Sequence, residues 1–326
     1  MPYRLPLDDL PAGFASLVRR ESKRLTGPAH GQAAAADQVA AVHGLRKSLK
    51  RLRALILLAD TPDQRRPLHD LDRRLRDLGR AYAPLRDTAV LAETLDRLVA
   101  DGTIRPKSLA VHVRATLTAD GGTHQDDIDP LAIASARDAA LSKLAALSFD
   151  DVTLDTAIAA AGRTYKTARR ARRAVESDDT GEAFHDWRKR VQRHARHMQL
   201  LVDLWPAEMA ARCDTAKALA EQLGQEHDLA ELDRRLASIS IGPAQRRALE
   251  RARQAMADRR AELRRTSLAL GDLLFAERGR AFRARLSAFH RAAPAAPATK
   301  IDAADAPPLV PARRLRYDRR QGDGDA

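Results

Sequence analysis

The stretch that most constrains the fold is Val42-His43-Gly44-Leu45-Arg46-Lys47-Ser48-Leu49-Lys50-Arg51-Leu52-Arg53. At about 100° per residue, a helix places Val42, Leu45, Leu49, Leu52 and Ile56 within one quarter-turn. His43, Arg46, Lys47 and Lys50 fall on a neighbouring flank, with Arg51 just beyond them. One helix therefore carries a core stripe beside a stack of cations. Like charges one turn apart repel, so either solvent or an anionic partner must sit over the stack. The pattern returns in Phe184-His185-Asp186-Trp187-Arg188-Lys189-Arg190-Val191-Gln192-Arg193. Phe184, Trp187, Val191, His194 and Met198 take the core positions there, and His185, Arg188 and Lys189 the basic ones. Gln192 stands at the Lys50 position, and Arg196 on the same face restores the charge. A charge lost and regained on one face favours a shared ligand over a merely solvated surface.

The chain of 326 residues has room for one large domain or two ordinary ones. Ala, Leu and Arg dominate, and β-branched alternation is scarce, a mixture that predicts an all-α fold. The net charge of +13 selects phosphate-rich polymers, anionic membranes or acidic proteins as partners. Cys213 is the only cysteine, which excludes a disulfide framework and a Cys-based zinc site. Met1-Pro2-Tyr3-Arg4 does not read as a signal peptide, and no apolar run approaches a membrane span. A cytoplasmic protein is the expectation.

Helix signals follow one another along the chain. A first helix running to about Leu25 carries Arg20, Lys23 and Arg24, and Gly27-Pro28 ends it. The first signature helix is expected over about Asp37 to Ala59. A leucine-rich helix with Leu68, Leu71, Leu75 and Leu78 bears Arg76. Pro84 breaks the chain before Arg86-Asp87. Pro106 to Ala119 predicts a short helix, and Asp120-Gly121-Gly122 a loop. His124, Asp126 and Asp127 read as polar loop residues rather than a metal cluster. Leu131 to Leu147 predicts a helix, with the boundary between halves at Ser148 to Asp151. The helix expected over about Val152 to Glu176 carries Lys166, Arg169, Arg170 and Arg173, mirroring the first helix. The second signature helix is expected to reach about Leu204. In the helix starting at Pro206, Lys217 precedes Asp228 by the spacing that separates Arg76 from Asp87. Both aspartates suit helix caps or partners of basic side chains. Trp187 and Trp205 suit core positions, and His194 the core edge. Gly242-Pro243 precedes a long basic helix, and a last helix holds Phe275, Phe282, Leu286 and Phe289. From Ala292 the chain turns Ala/Pro-rich and then basic, ending in Arg313 to Arg320, a tail expected to be disordered when free.

His-x-x-Arg-Lys used twice on basic amphipathic helices, with Arg86-Asp87 and His227-Asp228 behind leucine-rich helices, resembles the CHAD family (conserved histidine α-helical domain). Tyr165-Lys166-Thr167-Ala168-Arg169-Arg170 and Arg278-Gly279-Arg280-Ala281-Phe282 are similar to it as well. The resemblance implies two helical bundles related by an internal pseudo-two-fold repeat, with long basic helices lining a central cleft. Residues 1–291 would form the CHAD-like domain, the first repeat over about 5–148 and the second over about 151–290, with 292–326 as linker and tail. It also implies binding of inorganic polyphosphate and, in some members, association with polyphosphate granules and their proteins. Some relatives add a CYTH triphosphate-hydrolase domain, and no strand-rich segment of that kind is seen in this sequence. Gln192 and His194-Ala195 depart from the usual pattern in the second repeat.

Polyphosphate offers a regular chain of anionic oxygens without bases or sugars. Reading it requires cations one helical turn, about 5.4 Å, apart and no stacking platform. Arg holds phosphate oxygens bidentately and Lys acts as a point charge. The residues expected to bind are Arg20, Lys23 and Arg24; His43, Arg46, Lys47, Lys50 and Arg51; Arg76; Lys166, Arg169, Arg170 and Arg173; His185, Arg188, Lys189, Arg193 and Arg196; and Lys217. His43 and His185 sit among cations, which disfavours their charged form until phosphate arrives. Binding that tightens as pH falls is therefore expected. The same surroundings argue against the two histidines as metal ligands, and no cofactor is expected. A nonspecific nucleic-acid-binding protein is the rival reading, since it shares the charge. Against it, the signature helices lack Asn and Gln sets for base edges and aromatics for single strands. No Gly-rich phosphate loop or carboxylate pair for divalent metals supports an enzyme. A membrane-surface role is disfavoured because the apolar faces are needed for the core.

Overall fold

The computed structural model describes residues 3–26, 35–123 and 129–292. Among them are eleven α-helices and no strand. In chain order these are α1 (Leu10–Lys23), α2 (Ala35–Leu58), α3 (Arg65–Ala81), α4 (Pro84–Ala100), α5 (Lys107–Thr123) and α6 (Pro130–Ala145). After the connection at 146–153 come α7 (Leu154–Ser177), α8 (Gly181–Leu200), a 3-10 turn (Val202–Leu204), α9 (Pro206–Ala237), α10 (Pro243–Leu274) and α11 (Gly279–Ala292). Within the described residues, no helix is long and apolar enough to cross a membrane. His124, Asp126, Asp127 and the tail from 293 onward lie outside the described residues.

Local chemistry accounts for most helix starts. The Asp9 carboxylate accepts from the Ala12 N–H at 3.1 Å, and the Thr180 hydroxyl from the Ala183 N–H at 3.2 Å. Thr153 and Thr156 cap α7 reciprocally. Pro84, Pro130, Pro206 and Pro243 each open a helix, where a missing N–H leaves no bond unmade.

Two cores result, and they do not divide at the boundary expected near Ser148. The larger takes apolar faces from α1, α2, α3, α6, α7, α8 and α11, with Phe14, Leu49, Tyr165, Trp187 and Phe282 fully buried. The smaller joins α4 and α5 to parts of α9 and α10, through Leu95, Leu109, Leu232 and Met256. α9 and α10 pack along each other and enter both cores. α9 buries Leu219 and Leu223 in the larger core and Leu229 and Leu232 in the smaller one.

The core stripes of both signature helices are buried as expected: Val42, Leu45, Leu49, Leu52 and Ile56, then Phe184, Trp187, Val191, His194 and Met198. Four expectations need correction. Asp120-Gly121-Gly122 is helical, because α5 runs on to Thr123; extending an existing helix needs no new nucleus. Trp205 is 51% exposed and rests edge-on against Phe289 at 4.9 Å. Phe275 caps the C-terminus of α10 rather than joining α11. Asp228 sits in the middle of α9, so it caps nothing: the second half has no proline where Pro84 separates α3 from α4. Arg86 and Asp87 open α4, and their side chains fall outside the described residues.

Packing density gives a paired test. A Cβ on Gly271 would meet Trp187 Cζ2 at 2.5 Å and Cη2 at 2.8 Å, whereas one on Gly44 would meet nothing within 4 Å. Gly271→Ala should lower stability by about 1–3 kcal/mol through overpacking, although Ala is the better helix former. Gly44→Ala should raise it by up to about 1 kcal/mol. Urea midpoints of the two variants check both signs.

Candidate functional site

α8 buries one face and leaves the next, a quarter-turn away, bordering open space. That face carries Arg188, Gln192 and Arg196, three positions four residues apart. Opposite stands the basic flank of α2. Between them lies a cavity of about 500 Å³. α2 lines it with Arg46, Lys50 and Arg53, and α3 with Arg76 and Arg80. α8 adds Arg188, Lys189, Arg193 and Arg196, and α9 adds His227 and Asp228, the only lining carboxylate among the described residues. A second cavity of about 550 Å³ shares Arg188, Gln192, Arg196 and Asp228 with the first. Its other walls include Lys47 and Arg51 of α2, Arg97 and Glu93 of α4, and Lys217 and Glu221 of α9. The α8 stripe is thus a wall common to two basic cavities, and the alternating basic residues of α2 divide between them. No Phe, Tyr or Trp lines either cavity among the described residues.

The cations are held from behind. Arg46 donates through Nη1 to the Gly79 carbonyl at 2.8 Å, one of the last carbonyls of α3 and thus without a partner in its own helix. Asp72 accepts two bonds from Arg53, at 2.8 and 3.2 Å, and lies 4.0 Å from Arg193. Arg196 donates to the Gln192 carbonyl at 2.7 Å. Arg188 passes beside Gly224, where a Cβ would sit 3.3 Å from Nη2. Burial first, and to a lesser degree neighbouring arginines, pulls the Arg193 and Arg196 guanidiniums below the usual arginine range.

His185 and His227 stack at 4.3 Å between ring centroids and together line the first cavity. His185 Nδ1 is buried without a hydrogen-bond partner among the described residues. Burial first, then His227, Lys189 and Arg188, push His185 down to about 4. His227 is lowered by burial and by Arg188. Both rings are therefore neutral near pH 7. His197 acts elsewhere: its Nε2 lies 2.9 Å from the Ala54 carbonyl and fastens α8 to α2. His194 is wholly buried and packs among Tyr165, Phe275 and Phe282.

Of the residues expected to bind, Arg46, Lys50, Arg76, His185, Arg188, Lys189, Arg193 and Arg196 converge on the first cavity. Lys47, Arg51 and Lys217 reach the second. His43 is exposed one turn beyond Arg46 and lines neither. Arg20 and Arg24 instead bind the fully buried Glu21, whose Oε1 also receives Arg51 at 3.5 Å, and Lys23 faces solvent. On α7, Arg169 donates to the Phe275 carbonyl at 2.9 Å and so caps α10. Lys166, Arg170 and Arg173 are exposed away from the cavities. Sequence reasoning missed Arg53, Arg80, Arg97, His227 and Asp228 as lining residues. Arg53 was accessible, since it continues the Arg46, Lys50 row by one turn. His227 and Asp228 were not, because only the tertiary fold brings α9 to α8.

With this geometry in hand, comparison with known proteins gives three results. The model of the CHAD domain family matches residues 23–237. The crystal structure of the CHAD domain from the plant Ricinus communis is similar over 88% of this chain and 94% of that one, at 18% identity and a TM-score of 0.47. Curated proteins gave no match. The family match spans well over half the chain and includes both signature helices and α9 through its histidine, and on that ground the chain belongs to the CHAD domain family.

Proposed function

We propose that the chain binds inorganic polyphosphate, without catalysis, in the basic cleft between α2 and α8. The observation that carries this reading is the lining of the first cavity: three helices supply arginines and lysines, one carboxylate opposes them, and among the described residues no Phe, Tyr or Trp offers a platform. Arg46 to Arg53 and Arg188 to Arg196 each extend the cationic wall by about 11 Å, a length suited to a repeating anion rather than a single phosphate. Bidentate guanidiniums and point-charge ammoniums both occur, as a chain of equivalent oxygens requires. Nucleic-acid recognition fits less well, since among the described residues the first cavity offers a single amide, Gln192, for base edges and no Phe, Tyr or Trp for stacking. Family membership supports the reading, and a protein with such a cleft would collect on polyphosphate granules in a cytoplasm that contains them.

Direct titration of long-chain polyphosphate, competed by duplex and single-stranded nucleic acid at matched phosphate and near-physiological salt, tests the proposal. Polyphosphate should win. Arg188→Glu combined with Lys189→Glu should weaken binding about 100-fold, at roughly 1.4 kcal/mol for each of the two cations removed. Equal competition by all polyanions would sink the reading.

The histidine pair adds a pH signature. A bound phosphate favours the charged imidazole and so raises the depressed value of His185. Binding then takes up a proton, and affinity rises as pH falls from about 7 towards 5. Without ligand the sign is opposite: the unfolded chain protonates near 6.5 while folded His185 stays neutral down to about 4, so stability falls across that window. Affinity at pH 7.5 and 5.5 should differ in the wild type and be nearly level in His185→Gln; a level wild type refutes the coupling.

A further inference from the structure

Two helices outside the cleft share a second surface of unusual charge. Between Asp155 and Glu176, α7 holds no carboxylate, and α11 holds none at all. Their inward cations are tied. Arg169 caps α10, Arg172 meets Asp272 at 2.8 Å and Glu176 at 2.9 Å, and Arg285 meets Glu208 and Glu277 at 2.6 Å each. Lys166, Arg173, Arg280, Arg283 and Arg291 are exposed, and none forms an ion pair among the described residues.

The helices pack closely because each offers a glycine. A Cβ on Gly162 would lie 3.3 Å from Arg283 Cβ, and one on Gly279 would lie 3.2 Å from Lys166 Cβ. A rising position on α7 thus meets a falling one on α11, and the pair is antiparallel. The Lys166 and Arg283 stems cover the seam while their charged heads reach solvent. Advancing 100° per residue from that seam, away from buried Tyr165 and Phe282, leads to Lys166 and Arg173 on one helix and Arg283, Arg280 and Arg291 on the other. The cations therefore occupy one face: Lys166, Arg173, Arg280 and Arg283 form a band about 17 Å long at 1.5 Å per residue, and Arg291 lies beyond it, near Asp155. Arg170 marks its rim, where Glu182 and Asp186 border the next groove. No residue of α7 or α11 lines either cavity of the cleft, and α8 stands between.

We infer that the α7–α11 face is a second polyphosphate-binding surface, which lets one molecule hold two phosphate chains at once. The inference rests on the polyphosphate reading of the cleft. Charge complementarity selects the occupant: the band is linear, free of carboxylates and without an aromatic or apolar strip. The cleft encloses its chain between two helices, whereas the band is open and binds by charge in register. Holding two chains makes the protein a cross-link between them, and the second contact benefits from effective concentration.

The test uses the full chain. Beads bearing long-chain polyphosphate are loaded with protein, washed, and offered a second, fluorescent polyphosphate. The wild type should capture both. Lys166→Gln/Arg280→Gln/Arg283→Gln should keep first-chain binding within about twofold and lose second-chain capture at least about fivefold. The same loss of charge at Arg246, Arg247 and Arg265, exposed on α10, should leave capture intact. A band variant that captures the second chain like the wild type overturns the inference, as does an equal loss in the α10 variant. Equal capture of duplex DNA or anionic vesicles by the band overturns its assigned occupant. A wild type that captures the first chain but not the second removes the band alone. Failure to capture the first chain removes the cleft reading with it.

Discussion

Repulsion between α2 and α8 is the constraint that the rest of the structure answers. Each helix presents a basic flank to the same space, and among the described residues no side chain in that space neutralises the charge beyond Asp228. What holds them together lies on their other faces. Trp187, Leu49 and Leu52 are buried in the larger core, and the His197 ring meets the Ala54 carbonyl across the seam. Carboxylates are drawn to the rear of the cationic wall: Asp72 behind Arg53 and Arg193, and Glu21 behind Arg51. This keeps guanidiniums oriented while leaving Asp228 the only carboxylate that lines the first cavity among the described residues. A buried carboxylate stripped of its guanidiniums would be left uncompensated, so the anchoring and the repulsion are balanced as one system.

Helix and core were legible in the sequence because they depend on local periodicity. The Val42 to Ile56 and Phe184 to Met198 stripes needed nothing beyond 100° per residue, and proline marked the starts of α4, α6, α9 and α10. The cations on α2 and α8 were legible for the same reason. Those on α1 and α7 lie outside the cleft, and spacing alone cannot tell an arginine that lines the cleft from one that binds a buried glutamate or caps another helix. Arg20 and Arg169 have these two fates. His227 and Asp228 were recognised as a segment but not as part of the site, because their approach to α8 is tertiary. Trp205 shows the limit of residue type as a guide: a large aromatic on a short connection rests edge-on against Phe289 and stays half exposed.

The site also depends on where α9 changes allegiance. Leu223 belongs to the larger core and Leu229 to the smaller. Of the residues between them, Gly224, Gln225, His227 and Asp228 line the cleft. Glu226 in this interval is buried and takes Arg260 and Arg264 from α10, at 3.2 and 2.9 Å, so the turn that presents His227 and Asp228 is fixed from the opposite side. The cleft is thus a junction between two packed regions, where apolar contact gives way and polar side chains remain.

That junction is crossed by continuous helix. α9 and α10, each 32 residues and so about 48 Å long, pass from one core to the other without a break. Loosening the smaller core would fray helices whose other ends are embedded in the larger one. The two regions should therefore melt in a single cooperative step rather than as separable domains. The width of the cleft is then a property of the whole folded molecule, set by rigid rods instead of by a hinge.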